Sequence, residues 1–257
     1  MSEFPVTCER DGAVATIVLH RPQAANALNR ELRAALASVL RDVAADRSIG
    51  VVILTGAGQS FCAGADLRDP APNDVEALIL EEYRPIFATI TDMPQPVIAA
   101  VGGVAAGIGL SLALVCDLLV MADDAALLSP FSQIGLAPDG GASWLLVRQL
   151  GYRRAYQLAI EAERIDARRA LEWGLANRIE PAASMLTATR RWASELADRS
   201  PIALAGSKNA MRFAASAGYF DTYAHEARLQ AQCAAGADFR EGVRAFIEKR
   251  KPTFQRG

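Results

Sequence analysis

The chain has 257 residues, of which 51% are hydrophobic, and carries a formal net charge of −2 with an isoelectric point of about 5.8. A chain of this length buries roughly 75% of its unfolded surface, which is near the upper limit for a single hydrophobic core. The slightly acidic balance gives no overall basic field and argues against a protein that recruits nucleic acid or an anionic membrane. Any binding of phosphate groups must therefore be local.

The first third of the chain predicts strands and one long helix. Alternating apolar residues over 6–19, around the Asp11-Gly12 pair, predict a hairpin that enters a sheet. Leucines at every fourth position predict an amphipathic helix over residues 26–45. The apolar run that begins at Val51 predicts a buried strand, and residues 69–74 (DPAPND) form the most loop-like segment.

Residues 93–116 are uncharged and long enough to suggest a membrane span. Prolines and glycines would interrupt a spanning helix there, whereas a buried strand at Val97 to Val101 and a buried helix after Gly109 accommodate all of them. The first residues, MSEFPVTCERDG, have neither the basic nor the apolar part of a secretory signal. The sequence therefore predicts a soluble, cytoplasmic protein.

Strands at Val97 and Leu118 alternate with helices, which is typical of right-handed parallel βαβ units in an α/β protein. From Ser143 onward the pattern is mostly helical. Gly151 separates two helices, and a later helix is predicted to begin at an Asp166 cap and to end near Gly174. We find no internal repeat and no disordered linker.

The cysteines and histidines give no catalytic or metal-binding motif. The four cysteines include no CxxC pair, so reduced, mostly buried thiols are expected and no metal site is predicted: Cys8, Cys62, Cys116 and Cys233. A nucleophilic Cys62 would need a histidine partner. The two histidines, His20 and His225, lie in no recognisable motif.

Two small-residue segments stand out because each follows an apolar run. The first is CAGAD at 62–66, and the second is VGGVAAGIGL at 101–110. Such backbone can approach a ligand closely, and two converging N–H groups would form an oxyanion hole. A dinucleotide site is a poor interpretation, because Gly56 and Gly58 fit GxGxxG but Phe61 occupies the third glycine position.

FCAGADL, then AAVGGVAAGIGLSLALVCDLLVMA, then IGLAPDGGAS occur in an order and spacing that resemble the enoyl-CoA hydratase/isomerase family, the crotonases. Arg21-Pro22 with residues 26–29 resembles the family's N-terminal signature, and residues 240–252 resemble its C-terminal helix and tail. The PDGG motif is most similar to isomerase-like members, of the phenylacetate ring-isomerase type.

The resemblance implies an α/β crotonase fold, in which repeated ββα units form a spiral core. It implies a core domain over 1–195 and a C-terminal helical region over 196–257 that serves in trimerisation, so a homotrimer or a dimer of trimers is expected. It also implies an acyl-CoA substrate, with coenzyme A as part of that substrate and no separate cofactor.

By the same resemblance, the backbone N–H groups of Ala65 and Ile108 would form the oxyanion hole. Residues expected to contact coenzyme A are Ala24, Ala63, Asp66 and Leu67, the last two as the adenine-pocket wall. The family's usual basic residue before Asn26 is replaced by Gln23-Ala24-Ala25. Possible substitutes for phosphate binding are Arg21, Arg30, Arg68, Lys249 and Arg250.

The two glutamates that hydratases of the family carry correspond to Ser111 and Phe131, which cannot exchange protons near neutral pH. Asp139 of the PDGG motif is the predicted acid/base for isomerisation, with a pKa raised by apolar surroundings of Phe131, Leu136 and Trp144. The alternative for Asp139 is a simple cap of the following helix. For the protein, the alternatives are a hydratase in the generic family sense and a non-catalytic acyl-CoA-binding homologue.

Overall fold

The computed structural model describes residues 4–69 and 74–255. Within these ranges the strands are β1 (Val6–Asp11), β2 (Val14–Leu19), β3 (Val51–Gly56), β4 (Val97–Val101), β5 (Val104–Ala106), β6 (Leu118–Ala122), β7 (Ala126–Leu128), β8 (Ile165–Asp166) and β9 (Arg178–Glu180). Six of them form one sheet in the order β1-β2-β3-β4-β6-β9. Only the β1–β2 hairpin is antiparallel in this sheet; the other neighbours run parallel.

The helices of the described residues are α1 (Arg30–Ala45), α2 (Val75–Leu78), α3 (Arg84–Asp92), α4 (Ile108–Val115), α5 (Ala142–Leu150), α6 (Tyr152–Glu161), α7 (Ala167–Glu172), α8 (Met185–Ala197), α9 (Pro201–Ala214), α10 (Tyr219–Ala235) and α11 (Ala237–Ile247). A π-helical turn over Ile79–Tyr83 joins α2 to α3. α8 packs on β3 and β4, whereas α1 packs on β1 and β2. Because helices cover the sheet, β3 and β4 are continuous apolar runs rather than alternating ones.

A second, smaller sheet has the order β5-β7-β8 and was not predicted from the sequence. Its strands are three residues long or shorter, so they are too brief to show a period of their own. β5 matters most for function, because it runs directly into the second glycine-rich turn and α4.

The predicted hairpin, the β3, β4 and β6 strands, the buried α4 helix and the Asp166 cap are confirmed. The helix predicted over 26–45 is wrong at its start, since α1 begins at Arg30 and the Asn29 side chain accepts the Leu32 N–H at 3.0 Å. Asn26 is buried in a left-handed conformation (φ 55°), which a continuous helix cannot contain.

Most of the predicted loop at 69–74 lies outside the described residues. Over residues 4–69 and 74–255, no helix combines the length and apolarity that crossing a membrane requires. The last three helices, α9 to α11, follow one another without an intervening strand, and α10 packs against both α9 and α11.

Candidate active site

Backbone pairing brings the two glycine-rich segments together. Cys62 and Ala105 form a parallel bridge, in which the Ala106 N–H donates to the Cys62 carbonyl at 2.9 Å. The approach is so close at Gly64 that an added Cβ would lie 2.9 Å from the Ala106 carbonyl oxygen. Gly64 also has φ of 101°, so both sterics and backbone conformation require glycine there.

The N–H groups of Ala65 and Ile108 lie just beyond the end of this backbone pairing. The bonds on either side of Ala65, from Leu28 N–H to Gly64 (2.7 Å) and from Asp66 N–H to Leu28 (3.3 Å), leave the Ala65 N–H without a backbone acceptor among the described residues. Ile108 is the first residue of α4, so its N–H has no partner within the helix.

The side chain of Ile108 is only 1% exposed and packs in the hydrophobic core. The N–H belongs to the main chain, so an isoleucine can supply this donor. Gly64 and Gly107, which precede the two donors, lie close together, since a Cβ added at Gly64 would lie 3.6 Å from Gly107 Cα, so the structure brings the predicted pair of residues to one place.

Asp139 lies in the turn before α5, and its carboxyl group is desolvated. Its Oδ1 is buried and has no hydrogen-bond partner in the part of the chain that the structure describes. Desolvation raises the pKa of Asp139 to about 6, and a hydrogen bond from the residue's own main chain opposes this only in part. A carboxyl with this pKa can both accept and release a proton near neutral pH.

The interpretation of Asp139 as a helix cap is wrong. Gly141 is the cap residue of α5, no side chain caps the helix, and it is the main-chain carbonyl of Asp139 that accepts the Ala142 N–H at 3.1 Å. Gly140 and Gly141 both adopt left-handed conformations, with φ of 59° and 80°. They turn the chain between Asp139 and α5, which begins without a side-chain cap.

The turn that holds Asp139 also packs against residues that the sequence did not predict there. Leu136 and Trp144, two of the three apolar residues predicted around Asp139, are 53% and 51% exposed. Phe87 and Ser111 pack against the turn at Gly140, because an added Cβ at Gly140 would lie 3.0 Å from the Phe87 ring and 2.8 Å from Ser111 Cβ.

Ser111 and Phe131 also border this site. Ser111 is fully buried one turn after Ile108 on α4, and its Oγ–H donates to the Asp139 carbonyl at 2.9 Å. The Phe131 ring lies 3.9 Å from where a Cβ of Gly107 would be, so it covers the turn that precedes Ile108. Neither position supplies a carboxylate, and Asp139 is the acid whose main chain Ser111 contacts.

Tyr83 is a residue of this region that the sequence analysis did not identify. It is 3% exposed, its hydroxyl lies 3.5 Å from the Leu28 carbonyl oxygen, and the Arg33 guanidinium stacks on its ring at 5.1 Å. Burial raises the pKa of Tyr83 to about 12, and the charge of Asp139 adds to that increase. Tyr83 is therefore a neutral hydroxyl within electrostatic reach of Asp139.

A cavity of about 360 Å³ lies beside Ala65. Its lining includes three of the four residues predicted to contact coenzyme A, together with Arg68: Ala24, Asp66 and Leu67. The fourth, Ala63, is exposed next to it and donates its N–H to the Ala25 carbonyl at 2.9 Å. The structure thus brings together residues that are about forty positions apart in the chain.

The basic residues considered for phosphate binding differ in availability. Arg21 is engaged with Asp66 at 2.9 Å and with the Ala27 carbonyl, and Arg250 is bonded to Glu241 at 2.6 Å. Arg68 lines the cavity and is exposed. Of these three, Arg68 is the cation best placed for a phosphate.

The cysteines do not contribute a nucleophile to this site. Burial raises the pKa of the Cys62 thiol to about 12, so it does not form a thiolate at neutral pH. The expectation of mostly buried thiols holds for Cys62, whereas Cys8 is exposed. Cys116 and Cys233 are partly buried, and none of the four is in a disulfide.

The chain belongs to the enoyl-CoA hydratase/isomerase family, whose sequence profile matches residues 9–257. It is 40% identical to a probable enoyl-CoA hydratase of Rhodobacter capsulatus and 38% identical to the 1,2-epoxyphenylacetyl-CoA isomerase of Escherichia coli, covering 99% of both chains in each case. The predicted crotonase fold is confirmed. A crystal structure of an enoyl-CoA hydratase from Polaromonas sp. JS666 matches with a TM-score of 0.92 at 36% identity, over 97% of this chain and 99% of that one.

Proposed function

We propose that the protein is an enoyl-CoA isomerase in which Asp139 shuttles the proton and the N–H groups of Ala65 and Ile108 stabilise the thioester oxyanion. The observation that carries the proposal is the unpaired, desolvated carboxyl of Asp139, with a pKa of about 6, joined by Ser111 to the helix that begins at Ile108. A desolvated carboxylate without a structural partner is available for proton transfer.

One acid/base group is sufficient for a 1,3-proton shift. The Asp139 carboxylate removes a proton from C2 of a 3-enoyl thioester, and the electron pair moves to the thioester oxygen to give a dienolate. The Ala65 and Ile108 N–H groups donate to that oxygen; a single such donor is worth about 10²- to 10³-fold in rate. The carboxylic acid then returns the proton to C4, which yields the 2-enoyl thioester and regenerates the carboxylate.

Hydration is the second candidate, favoured by the name of the Rhodobacter relative and by the 2,3-dehydroadipyl-CoA hydratase of Escherichia coli, which is 35% identical. Ser111 and Phe131 weigh against it, because adding water by the two-carboxylate route needs acids at those positions. The isomerase relative at 38% identity supports the proton shift.

We propose that coenzyme A lies along the cavity lined by Ala24, Asp66 and Leu67, with Ala63 beside it and Arg68 contacting phosphate. This follows from the position of the cavity next to the Ala65 N–H. We also propose a homotrimer, since α10 and α11 expose large apolar side chains that a subunit interface would bury: Tyr219, Phe220, Phe246 and Ile247.

The test is to incubate the protein with 3-hexenoyl-CoA and with crotonyl-CoA in deuterated water. We expect deuterium incorporation and double-bond migration with the first thioester, and very slow water addition to the second. Efficient hydration of crotonyl-CoA with no double-bond migration in 3-hexenoyl-CoA would overturn the proposal in favour of a hydratase.

Binding is tested separately, so that the absence of any reaction can be interpreted. Calorimetry with a non-reactive acyl-CoA thioether should show saturable binding, and NAD should show none. Tight acyl-CoA binding with neither exchange nor hydration would establish the non-catalytic homologue instead.

A further inference from the structure

The Ser111 hydroxyl and the Asp139 main chain make one complete hydrogen-bonding unit. The Asp139 carbonyl accepts the Ser111 Oγ–H at 2.9 Å and the Ala142 N–H at 3.1 Å. A carbonyl oxygen has two lone pairs, so these two donors saturate it. Ser111 is therefore the link between the Asp139 turn and α4, while Ala142 links the same turn to α5.

Packing at this link is as restrictive as the hydrogen bond. Gly140 sits over Ser111, with space for no additional atom, since an added Cβ would lie 2.8 Å from Ser111 Cβ and 3.1 Å from Ser111 Oγ. The Phe87 ring closes the other side at 3.0 Å. A serine fits under the turn, and larger side chains at 111 would displace Gly140 and Asp139 with it.

The first turn of α4 holds both ends of this arrangement. Its N-terminal residue, Ile108, presents the free N–H, and the Ser111 N–H donates to the Gly107 carbonyl at 3.3 Å. Three helical residues correspond to a rise of about 4.5 Å along the axis. Every residue of α4 is buried, so this turn is a rigid spacer.

We infer that Ser111 is a positioning residue that sets the distance between the Asp139 carboxylate and the Ile108 N–H through the first turn of α4. The inference rests on the proposed function, because it assigns Ser111 to the alignment of that acid/base group. In a single substrate pose, the thioester oxygen must accept hydrogen bonds from the two N–H groups while the Asp139 carboxylate reaches the carbon that loses its proton. A base that shifts relative to the donor loses rate at the chemical step and not in binding.

The first experiment replaces Ser111 by Ala and measures double-bond migration in 3-hexenoyl-CoA. We expect kcat to fall about ten- to a hundredfold with KM nearly unchanged, the effect of misplacing a catalytic group by about 1 Å. The acid limb of the kcat profile should also move below pH 6, because a loosened turn admits water to the carboxyl. Tyr83, the neighbouring titratable group, stays neutral across this range.

Ser111→Cys, a weaker donor of similar size, should be intermediate, whereas Ser111→Thr keeps the hydroxyl but adds a methyl group beneath Gly140 and should recover only part of the rate. The matched control is Thr189→Val. The Thr189 hydroxyl is also buried and donates to a main-chain carbonyl, that of Met185 at 2.8 Å, but in α8. It should lose a comparable hydrogen bond without changing kcat or the profile.

The outcomes separate the inference from the proposed function. If Asp139→Asn abolishes migration and Ser111→Ala retains wild-type kcat and pH profile, the inference is overturned and the function stands. If Asp139→Asn retains migration, the proposed function fails first. Should Ser111→Ala be too unstable to assay, Ser111→Cys decides: a profile and kcat equal to wild type would overturn the inference, and a reduced kcat with a shifted limb would support it.

Discussion

Asp117 and Asp139 are two partly buried carboxylates of one chain with opposite surroundings. Asp117 accepts the Val97 N–H at 2.8 Å, Lys208 Nζ at 2.8 Å and the Arg212 guanidinium at 2.6 Å. Asp139 has a buried oxygen with no partner among the described residues. A carboxylate that holds the fold together is saturated with donors, whereas one suited to exchange protons is left without them.

The two carboxylates also differ in the cations that surround them. Lys208 is almost fully buried, and besides Asp117 it donates to the Ile90 and Gln95 carbonyls, so it fixes α9 to the loop before β4. No cation is paired with Asp139 in the described part of the chain. The pKa of Asp139 is consequently free to rise with burial, which a neighbouring cation would prevent.

The largest effect we predict contrasts Asp139→Asn with Asp117→Asn. Asp139→Asn should lower isomerisation by about 10²- to 10⁴-fold while the protein stays folded, because the isosteric amide cannot exchange the proton. Asp117→Asn should cost about 3 kcal/mol of unfolding free energy, because it leaves Lys208 and Arg212 without compensation. Urea unfolding and single-turnover assays check both variants. Loss of stability in Asp139→Asn equal to that in Asp117→Asn would remove the contrast.

Ser111→Glu is expected to fail as a route to hydratase activity. A glutamate beneath Gly140 overpacks the turn, which costs about 1–3 kcal/mol and displaces Asp139. Isomerisation should fall, and hydration of crotonyl-CoA should not appear, including in the Ser111→Glu/Phe131→Glu double variant. Thermal unfolding and a hydration assay test this. A stable double variant that hydrates crotonyl-CoA would contradict this, because it would show that the turn can move further than its packing indicates.

A smaller effect distinguishes the two glycines that follow Asp139. Gly140→Ala combines a left-handed backbone with contacts to Ser111 and Phe87, whereas Gly141→Ala meets no atom within 4 Å. Backbone strain should lower the unfolding free energy of both variants by about 1 kcal/mol. Gly140→Ala should lose about 1–2 kcal/mol more of unfolding free energy, and its activity should also fall. Chemical unfolding of the two variants isolates the contact. Equal stabilities would mean that the space over Ser111 does not restrict the turn.

The smallest prediction concerns pH. The pKa of Asp139 is about 6 in the folded protein, above the ordinary value of 3.8, so the unfolded state loses this proton first as pH rises. The stability contributed by the protonated carboxyl is complete below about pH 4 and lost by about pH 6. Asp139→Asn should therefore exceed wild type by about 1–2 kcal/mol at pH 8 and match it near pH 4, after allowance for partial exposure. Parallel urea titrations at the two pH values measure the difference, and a constant offset would contradict the assignment.

Sequence patterns predicted the parts of the fold that are long or strongly periodic. Local patterns predict the β1–β2 hairpin, the buried strands β3 and β4, and α1 apart from the position of its first residue. β5 could not be found this way, because its three residues are held by Cys62 and by β7, which lie far from it in the sequence. The missing signal is non-local pairing.

For the candidate site, the sequence could identify Asp139 but not its surroundings. Whether it caps α5 depends on the left-handed backbone at Gly140 and Gly141, and a single sequence does not give those dihedral angles. Tyr83 escaped notice because an aromatic residue four positions before Phe87 is equally typical of a buried helix face. Its proximity to Leu28 and Arg33 is a tertiary fact.

The pairing of Cys62 with Ala105 has a consequence for re-engineering this scaffold. The proposed oxyanion hole consists of main-chain N–H groups whose separation is fixed by backbone hydrogen bonds. It therefore contains no side chain that a mutation could remove. Chemistry and anchoring are therefore encoded at different positions. A combinatorial library confined to 111, 131 and 139 would vary the reacting side chains, while every member kept the same main-chain donors.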